Sequence, residues 1–97
     1  MPALIVRPDA ELDMLEAAAW YDGERPGLGD EFLDSIAETF ARVEEGPARF
    51  ISIGKDIRRA GVRRFPFGVF FAIEPSCVVV LAVMHLHRHP HAWESRR

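Results

Sequence analysis

The chain has 97 residues, of which 48% are hydrophobic and 28% are charged, and its net charge is −3. This length predicts a single domain over residues 1–97, which buries roughly 60 to 65% of its unfolded surface and leaves no room for a second domain. No window approaches the roughly 20 apolar residues of a membrane span, the start lacks a secretory signal pattern, and one cysteine cannot form an internal disulfide, so we expect a cytoplasmic protein without a membrane partner.

The two halves of the chain carry opposite charges. Residues 1–54 contain 12 acidic side chains against four arginines, a balance of −8, whereas residues 55–97 contain eight basic side chains against three acidic ones, a balance of +5. The asymmetry favours an anionic partner for the second half, either nucleic acid or an acidic protein segment. The overall acidity argues against broad non-specific binding to nucleic acid, and a solvated polar face is the alternative explanation of the same pattern.

The first half of the chain predicts a short strand followed by two helices. Residues 4–6 are apolar and form the strand, and Asp9 is placed to cap the helix that follows. Residues 26–29 (PGLG) make a tight connection, after which a second apolar stripe at helical spacing stops at Gly46. Two helices joined so closely form an antiparallel hairpin over about residues 9–45.

The second half predicts a meander of three antiparallel strands over about residues 57–85, followed by a tail at residues 86–97. Residues 48–56 show no clear period and are predicted to be a loop. Turn residues at 66–68 and 75–76 separate the three strands. Strands this apolar on both faces need cover on at least one side, which the hairpin can give, while the other side is available for a partner.

Polar side chains stand at the ends of two of these strands, and functional residues concentrate where a rigid scaffold stops. In the first strand, predicted from Ile57 to Phe65, even-numbered positions share one face, so Arg64 lies in line with apolar neighbours near its end. The last strand is followed by an abrupt cluster that consists of His85, His87, Arg88, His89, His91 and Trp93. Burial explains the apolar residues before this cluster but not the cluster itself, which we interpret as a binding or catalytic site.

The four histidines of the cluster occupy alternate positions, and on an extended strand such positions project to the same side. Imidazoles so placed could hold zinc or nickel. No carboxylate or cysteine joins them, and Pro90 interrupts the strand register. We therefore expect no functional metal site and no cofactor.

The order of strand, hairpin, meander and tail resembles the ParE/RelE superfamily of bacterial toxins from type II toxin–antitoxin modules, and it is more similar to the ParE side. The stretches that carry the resemblance are residues 16–21 (EAAAWY), 25–29 (RPGLG), 31–33 (EFL), 64–71 (RFPFGVFF) and 80–83 (VLAV), with His85, Arg88, Pro90, Trp93 and Arg96. The resemblance implies an α/β (α+β) fold of order β-α-α-β-β-β, in which the helical hairpin packs on a mainly antiparallel sheet. It also implies a toxin that poisons DNA gyrase and is held inactive by a cognate antitoxin wrapped around it.

Two sets of residues are predicted to contact these partners. An apolar sheet surface with a basic rim suits an amphipathic, acidic antitoxin segment, and its candidates are Arg58, Arg63, Phe65, Phe67, Val69 and Phe71. The alternative role of the aromatic members is hydrophobic core. A tryptophan beside arginines is a common hot-spot composition, and the target-binding candidates are Arg64, His85, Arg88, Trp93 and Arg96. The alternative role of Trp93 is to pin the tail to the domain.

The RelE branch implies a different activity, the metal-independent cleavage of messenger RNA on the ribosome. That chemistry needs an acid, a base and cations for the phosphorane, for which His85, Arg64 and Arg88 are the candidates. A single lysine, a sole tyrosine in the first helix and a pI of 5.8 weigh against this alternative. We favour a gyrase poison without catalysis or sequence-specific contact with nucleic acid. An inactive family member that still binds its antitoxin is the second alternative.

Overall fold

The computed structural model describes residues 3–88 and 90–96. The helices and strands are β1 (Ala3–Val6), α1 (Pro8–Glu24), α2 (Leu28–Glu45), β2 (Ile51–Gly54), β3 (Ile57–Gly61), β4 (Phe67–Ile73) and β5 (Cys77–His85), with 3₁₀ turns at Pro47–Arg49 and Ala92–Arg96. The strand order is β1-β5-β4-β3-β2, in which β1 is parallel to β5 and the other neighbours are antiparallel. This arrangement confirms the predicted fold class. None of the helices in the described ranges combines the length and apolar content that crossing a membrane requires.

The helical hairpin forms as predicted, with a different start for α1. Pro8 is the first helical residue, where its missing N–H costs nothing and its fixed φ suits a helix. The extended residue before the helix is Arg7, so the prediction that Asp9 caps α1 is wrong; Asp9 lies in the first turn, where the helix dipole favours its charge. Gly27, with φ of 90°, makes the turn into α2.

The predicted loop at residues 48–56 is wrong, because it contains a fifth strand. β2 pairs antiparallel with β3, with Ile51 opposite Arg59, and the register shifts between Ser52 and Gly54. A strand of four residues at the edge of a sheet is too short for an alternating pattern to stand out. Three consecutive residues with positive φ, Gly54, Lys55 and Asp56, turn the chain back into β3.

The strand predicted to reach Phe65 ends earlier. β3 stops at Gly61, and the chain turns between Val62, whose N–H donates to the Phe67 carbonyl at 2.9 Å, and the start of β4. Arg64 therefore lies in this turn with φ of 72°, not on a strand face, and Phe67 belongs to β4 instead of the predicted turn. Val62 and Phe65 are apolar because both side chains lie in the core, and this extends the apolar pattern past the end of the strand at Gly61.

Both faces of the sheet are covered, each by a different part of the chain. The helix side packs against α1 and α2, with Phe32 and Ile36 of α2 over Val69 and Phe71 of β4. On the opposite face, called the tail side, the buried cluster is Ile57, Phe70, Ala72, Leu81, Ala82, Met84 and Trp93. The sequence predicted that the side of the sheet away from the hairpin is available for a partner, but Trp93 from the tail covers the centre of that face.

Candidate functional site

The turn after β3, the end of β5 and the C-terminal half of α1 meet at one end of the molecule. The ring of Phe67 lies 5.3 Å from that of His85 across the β4–β5 pair, and 6.1 Å from that of Tyr21 on α1, measured between centroids. Beside them a groove of about 400 Å³ runs between α1 and the end of β5. Its lining includes Asp13, Trp20, Phe67, His85, Arg88 and Arg96. The groove thus collects three of the five predicted target-binding residues.

His85 shapes the chain where the sheet ends. Its Nδ1 atom accepts hydrogen bonds from the backbone N–H groups of His87 and Arg88, both at 3.1 Å. An imidazole nitrogen accepts only when it is unprotonated, so this geometry requires a neutral ring with its proton on Nε2. The His85 side chain therefore holds the turn that delivers Arg88 to the groove.

Arg88 stacks on an aromatic side chain of α1. Its guanidinium carbon lies 5.2 Å from the ring centroid of Trp20, which is 49% exposed. A cation placed over an exposed tryptophan contributes about 0.5–1 kcal/mol. Burial raises the pKa of the neighbouring Tyr21 hydroxyl, and the charge of Arg88 acts in the opposite direction. Trp20 was not among the predicted site residues. The signal that could have identified it is a tryptophan near the end of the first helix, since tryptophan is common in binding hot spots.

Arg64 is exposed at the same end of the molecule but contacts α2 instead of the groove. Its Nη2 lies 2.8 Å from Oε1 of Glu31, and Arg25 binds the other oxygen of that carboxylate at 3.1 Å. Hydrogen bonding from Arg64 lowers the pKa of Glu31. Two arginines and one glutamate leave a net positive charge at this end of the molecule.

The tail places Trp93 and Arg96 in structural contacts. Trp93 is only 6% exposed, and its ring stacks on Phe70 at 6.0 Å between centroids on the tail side of the sheet. Its Nε1–H donates to the carbonyl of Pro90 at 3.0 Å. Trp93 thus takes the alternative role of pinning the tail, while Arg96 forms an ion pair with Asp13 at the edge of the groove.

The six predicted antitoxin-binding residues do not share one exposed surface. Val69 and Phe71 are fully buried on the helix side, and Phe65 is nearly so, which is their alternative role as core. Phe67 is half-buried. Arg58 donates to the carbonyls of Ala48 and Phe50, and Arg63 pairs with Glu38 at 3.1 Å.

Exposed apolar surface occurs instead on the outer face of α1. Leu12 and Leu15 are 54% and 55% exposed. Positions three apart on a helix are neighbours, so the two side chains form one apolar patch. The carboxylates of Glu11 and Glu16 come from the adjacent, exposed positions.

The histidines that the structure describes, His85, His87 and His91, do not gather at one point. His91 pairs with Glu94 at 3.3 Å, the rings of His85 and His87 lie 5.8 Å apart, and His89 falls outside the described residues. Within residues 3–88 and 90–96, no three His, Cys, Asp or Glu side chains gather as a metal site would require. Of the candidates for RNA cleavage, His85 and Arg88 line the groove, whereas Arg64 is directed at Glu31.

Comparison with known proteins identifies the family. Residues 4–90 match the family model described as the ParE toxin of the type II toxin–antitoxin system parDE. No curated protein matches the chain. A solved structure described as a chromosomal ParDE toxin–antitoxin system from P. aeruginosa is 17% identical, covers 88% of this chain and 96% of its own, and superposes with a TM-score of 0.79. That likeness shows a shared fold. Because the family match spans most of the sequence, the chain belongs to the ParE toxin family of type II toxin–antitoxin systems.

Proposed function

We propose that the protein is a cytoplasmic toxin that inhibits DNA gyrase by protein–protein contact, without catalysis of its own, and that a cognate antitoxin neutralises it by direct binding. Membership of the ParE toxin family supports this proposal. The observation in this chain that carries it is the exposed contact of Arg88 with Trp20 at the end of the sheet.

Arginine and tryptophan are the residue types that dominate the energetics of protein–protein interfaces. Here both are held before any partner binds, Trp20 by α1 and Arg88 by the turn that His85 caps. A side chain that is fixed in advance loses less conformational entropy on binding. Arg64 adds positive charge at the same end of the molecule, so we assign target contact to Trp20, Arg88 and Arg64, with His85 supporting Arg88.

The antitoxin is proposed to cover the outer face of α1. The patch of Leu12 and Leu15 suits the apolar face of an amphipathic segment, and Glu11 and Glu16 beside it favour basic side chains in that segment. This differs from the acidic segment that the sequence predicted on the sheet. The similar structure from P. aeruginosa is described as a ParDE toxin–antitoxin system, which supports an antitoxin partner.

The test of this function adds the purified protein to gyrase with supercoiled plasmid and, separately, to translating ribosomes with messenger RNA. We expect loss of gyrase activity with trapped DNA breaks, and intact messenger. Arg88→Ala should weaken the inhibition by roughly tenfold, because it removes a charged interface anchor. Arg59→Ala is the matched control, since Arg59 is exposed but lies opposite Phe70 on the tail side.

Cleaved messenger with unaffected gyrase would contradict the proposal and would support the ribonuclease alternative. A protein that binds its antitoxin but affects neither system would support the inactive family member. Equal losses in Arg88→Ala and Arg59→Ala would show that the groove is not the target surface.

A further inference from the structure

One carboxylate joins three parts of the fold that are distant in sequence. Asp13 Oδ2 on α1 accepts the N–H of Val83 in β5 at 2.9 Å and the Arg96 Nη1–H at 2.6 Å. Its Oδ1 accepts the Arg96 Nη2–H at 3.0 Å, and Arg96 Nη1 also donates to the Leu81 carbonyl at 3.2 Å. Asp13 therefore links α1, the edge of β5 and the tail.

The link forms where β5 extends past the end of its neighbour β1. β1 ends at Val6, opposite Val80, whereas β5 continues to His85. In the part of the chain that the structure describes, no strand pairs with the backbone of Leu81 and Val83 along this edge. Buried backbone groups need partners, and the side chains of Asp13 and Arg96 provide them.

The geometry of the pair makes it rigid. Arg96 presents both terminal nitrogens to both oxygens of Asp13, a bidentate arrangement that fixes orientation as well as distance. The two side chains are only 21% and 17% exposed, so water screens them less than a surface pair. Their hydrogen bond raises the pKa of the Arg96 guanidinium, which keeps its charge.

The same face of α1 also carries the target-binding contact. Asp13 and Trp20 are seven residues apart, two helical turns, and each binds an arginine of the chain's end, Arg96 and Arg88 respectively. Arg88 and Arg96 therefore both contact α1, while Trp93 between them packs on Phe70. Without the Asp13 contact, one of these two attachments is lost, and the groove loses a wall that Asp13 and Arg96 form.

We propose that Asp13 is a positioning residue for the target surface, acting through Arg96 to keep Arg88 stacked on Trp20. The proposal rests on the proposed function, since that function assigns target contact to Arg88 and Trp20. Asp13 itself lines the groove, and on this proposal its effect on inhibition is exerted through the position of the tail and of Arg88.

The variants that test it are Asp13→Asn, which retains an acceptor for the Val83 N–H but loses the charge, and Arg96→Lys, which loses the two-pronged contact. The matched control is Asp34→Asn, which makes the same chemical change at an exposed position of α2. For each variant, amide hydrogen exchange at His87 and Arg88 reports the turn, circular dichroism reports the fold, and a supercoiling assay reports gyrase inhibition.

We expect Asp13→Asn to speed exchange at both amides and to weaken inhibition by roughly tenfold, Arg96→Lys to do so less, and Asp34→Asn to change neither. A double-mutant cycle separates positioning from general destabilisation. If Asp13 acts through Arg88, then Asp13→Asn adds little to the loss already caused by Arg88→Ala. Full additivity of the two losses would overturn the proposal.

The proposal would also be overturned by faster exchange with unchanged inhibition, or by unchanged exchange at both amides. A wild-type protein without effect on gyrase would refute the proposed function instead. The exchange data then decide the structural assignment alone: faster exchange in Asp13→Asn supports the link between Asp13 and the turn, and unchanged exchange overturns it.

Discussion

His85 shows how one ring nitrogen can separate a structural role from a chemical one. Nδ1 accepts two backbone N–H groups, so it is occupied in holding the turn, and acid–base chemistry would have to use Nε2. The side-chain oxygen of asparagine stands at the place of Nδ1, whereas that of glutamine stands nearer the place of Nε2. Substitution by these two amides therefore distinguishes the roles.

We predict that His85→Asn retains gyrase inhibition and that His85→Gln weakens it by roughly tenfold, because two neutral hydrogen bonds that each contribute about 0.5–1.5 kcal/mol are lost. Dose–response curves in a supercoiling assay measure the difference. His87→Asn, at an exposed neighbouring position, is the control. Loss of activity in His85→Asn but not in His85→Gln would assign the function to Nε2 and revive the acid–base interpretation.

At the scale of elements, the two helices approach each other so closely at Gly29 that no side chain fits at this position. A Cβ atom added to Gly29 would lie 2.4 Å from the carbonyl oxygen of Ala18, and the N–H of Gly29 donates to Asp22 Oδ1 at 2.7 Å. The obstacle is backbone, which cannot rotate away. The short connection that the sequence predicted thus depends on one glycine of α2 as well as on the glycine in the turn.

We predict that Gly29→Ala destabilises the fold by about 1–3 kcal/mol through overpacking. Gly23→Ala is the matched control, because an added Cβ there meets nothing within 4 Å and the helix gains up to about 1 kcal/mol from alanine. Urea unfolding of both variants gives the free energies. Equal stability of the two variants would mean that the helices can separate at no cost.

The elements also differ in how far local pattern predicts them. The limits of β5 follow from its sequence, because an apolar run lies between a Pro-Ser turn and a polar cluster. The four residues of β2 carry no comparable signal, and the apolar positions after Gly61 imitate a strand although they belong to a turn. The 3₁₀ helix that brings Trp93 to the tail side has too few residues to show any period.

The groove is harder to predict than the strands, because it is made by contacts between distant residues. Asp13 and Arg96 are 83 positions apart, and nothing in the local pattern of α1 distinguishes this aspartate from its acidic neighbours. Composition predicted a site of arginine and histidine at the end of β5, and the structure places His85 and Arg88 in the groove there. It could not predict that Trp20 of α1, and not Trp93 of the tail, is the tryptophan that stays exposed.

At the scale of the whole molecule, α1 presents two different surfaces. Trp20 faces the groove, whereas Leu12 and Leu15 form the apolar patch on the outer face of the helix. The patch belongs to the acidic half of the chain, whereas the groove is lined by charges of both signs, Asp13 and Glu16 from α1 and Arg88 and Arg96 from the second half. The contacts that we propose for target and antitoxin therefore centre on different faces of α1, and Glu16 lies between them.

We predict that Leu12→Ser with Leu15→Ser weakens antitoxin binding by roughly 100-fold, since each half-exposed leucine loses about 1–2 kcal/mol of apolar burial, while gyrase inhibition is unchanged. Arg88→Ala should weaken gyrase inhibition and leave antitoxin binding unchanged. Isothermal titration with the antitoxin and a supercoiling assay measure the two effects. Because Glu11 and Glu16 border the patch, added salt should also weaken antitoxin binding. If the leucine variant lost both activities together, antitoxin and target would compete for one surface, and α1 would not separate them.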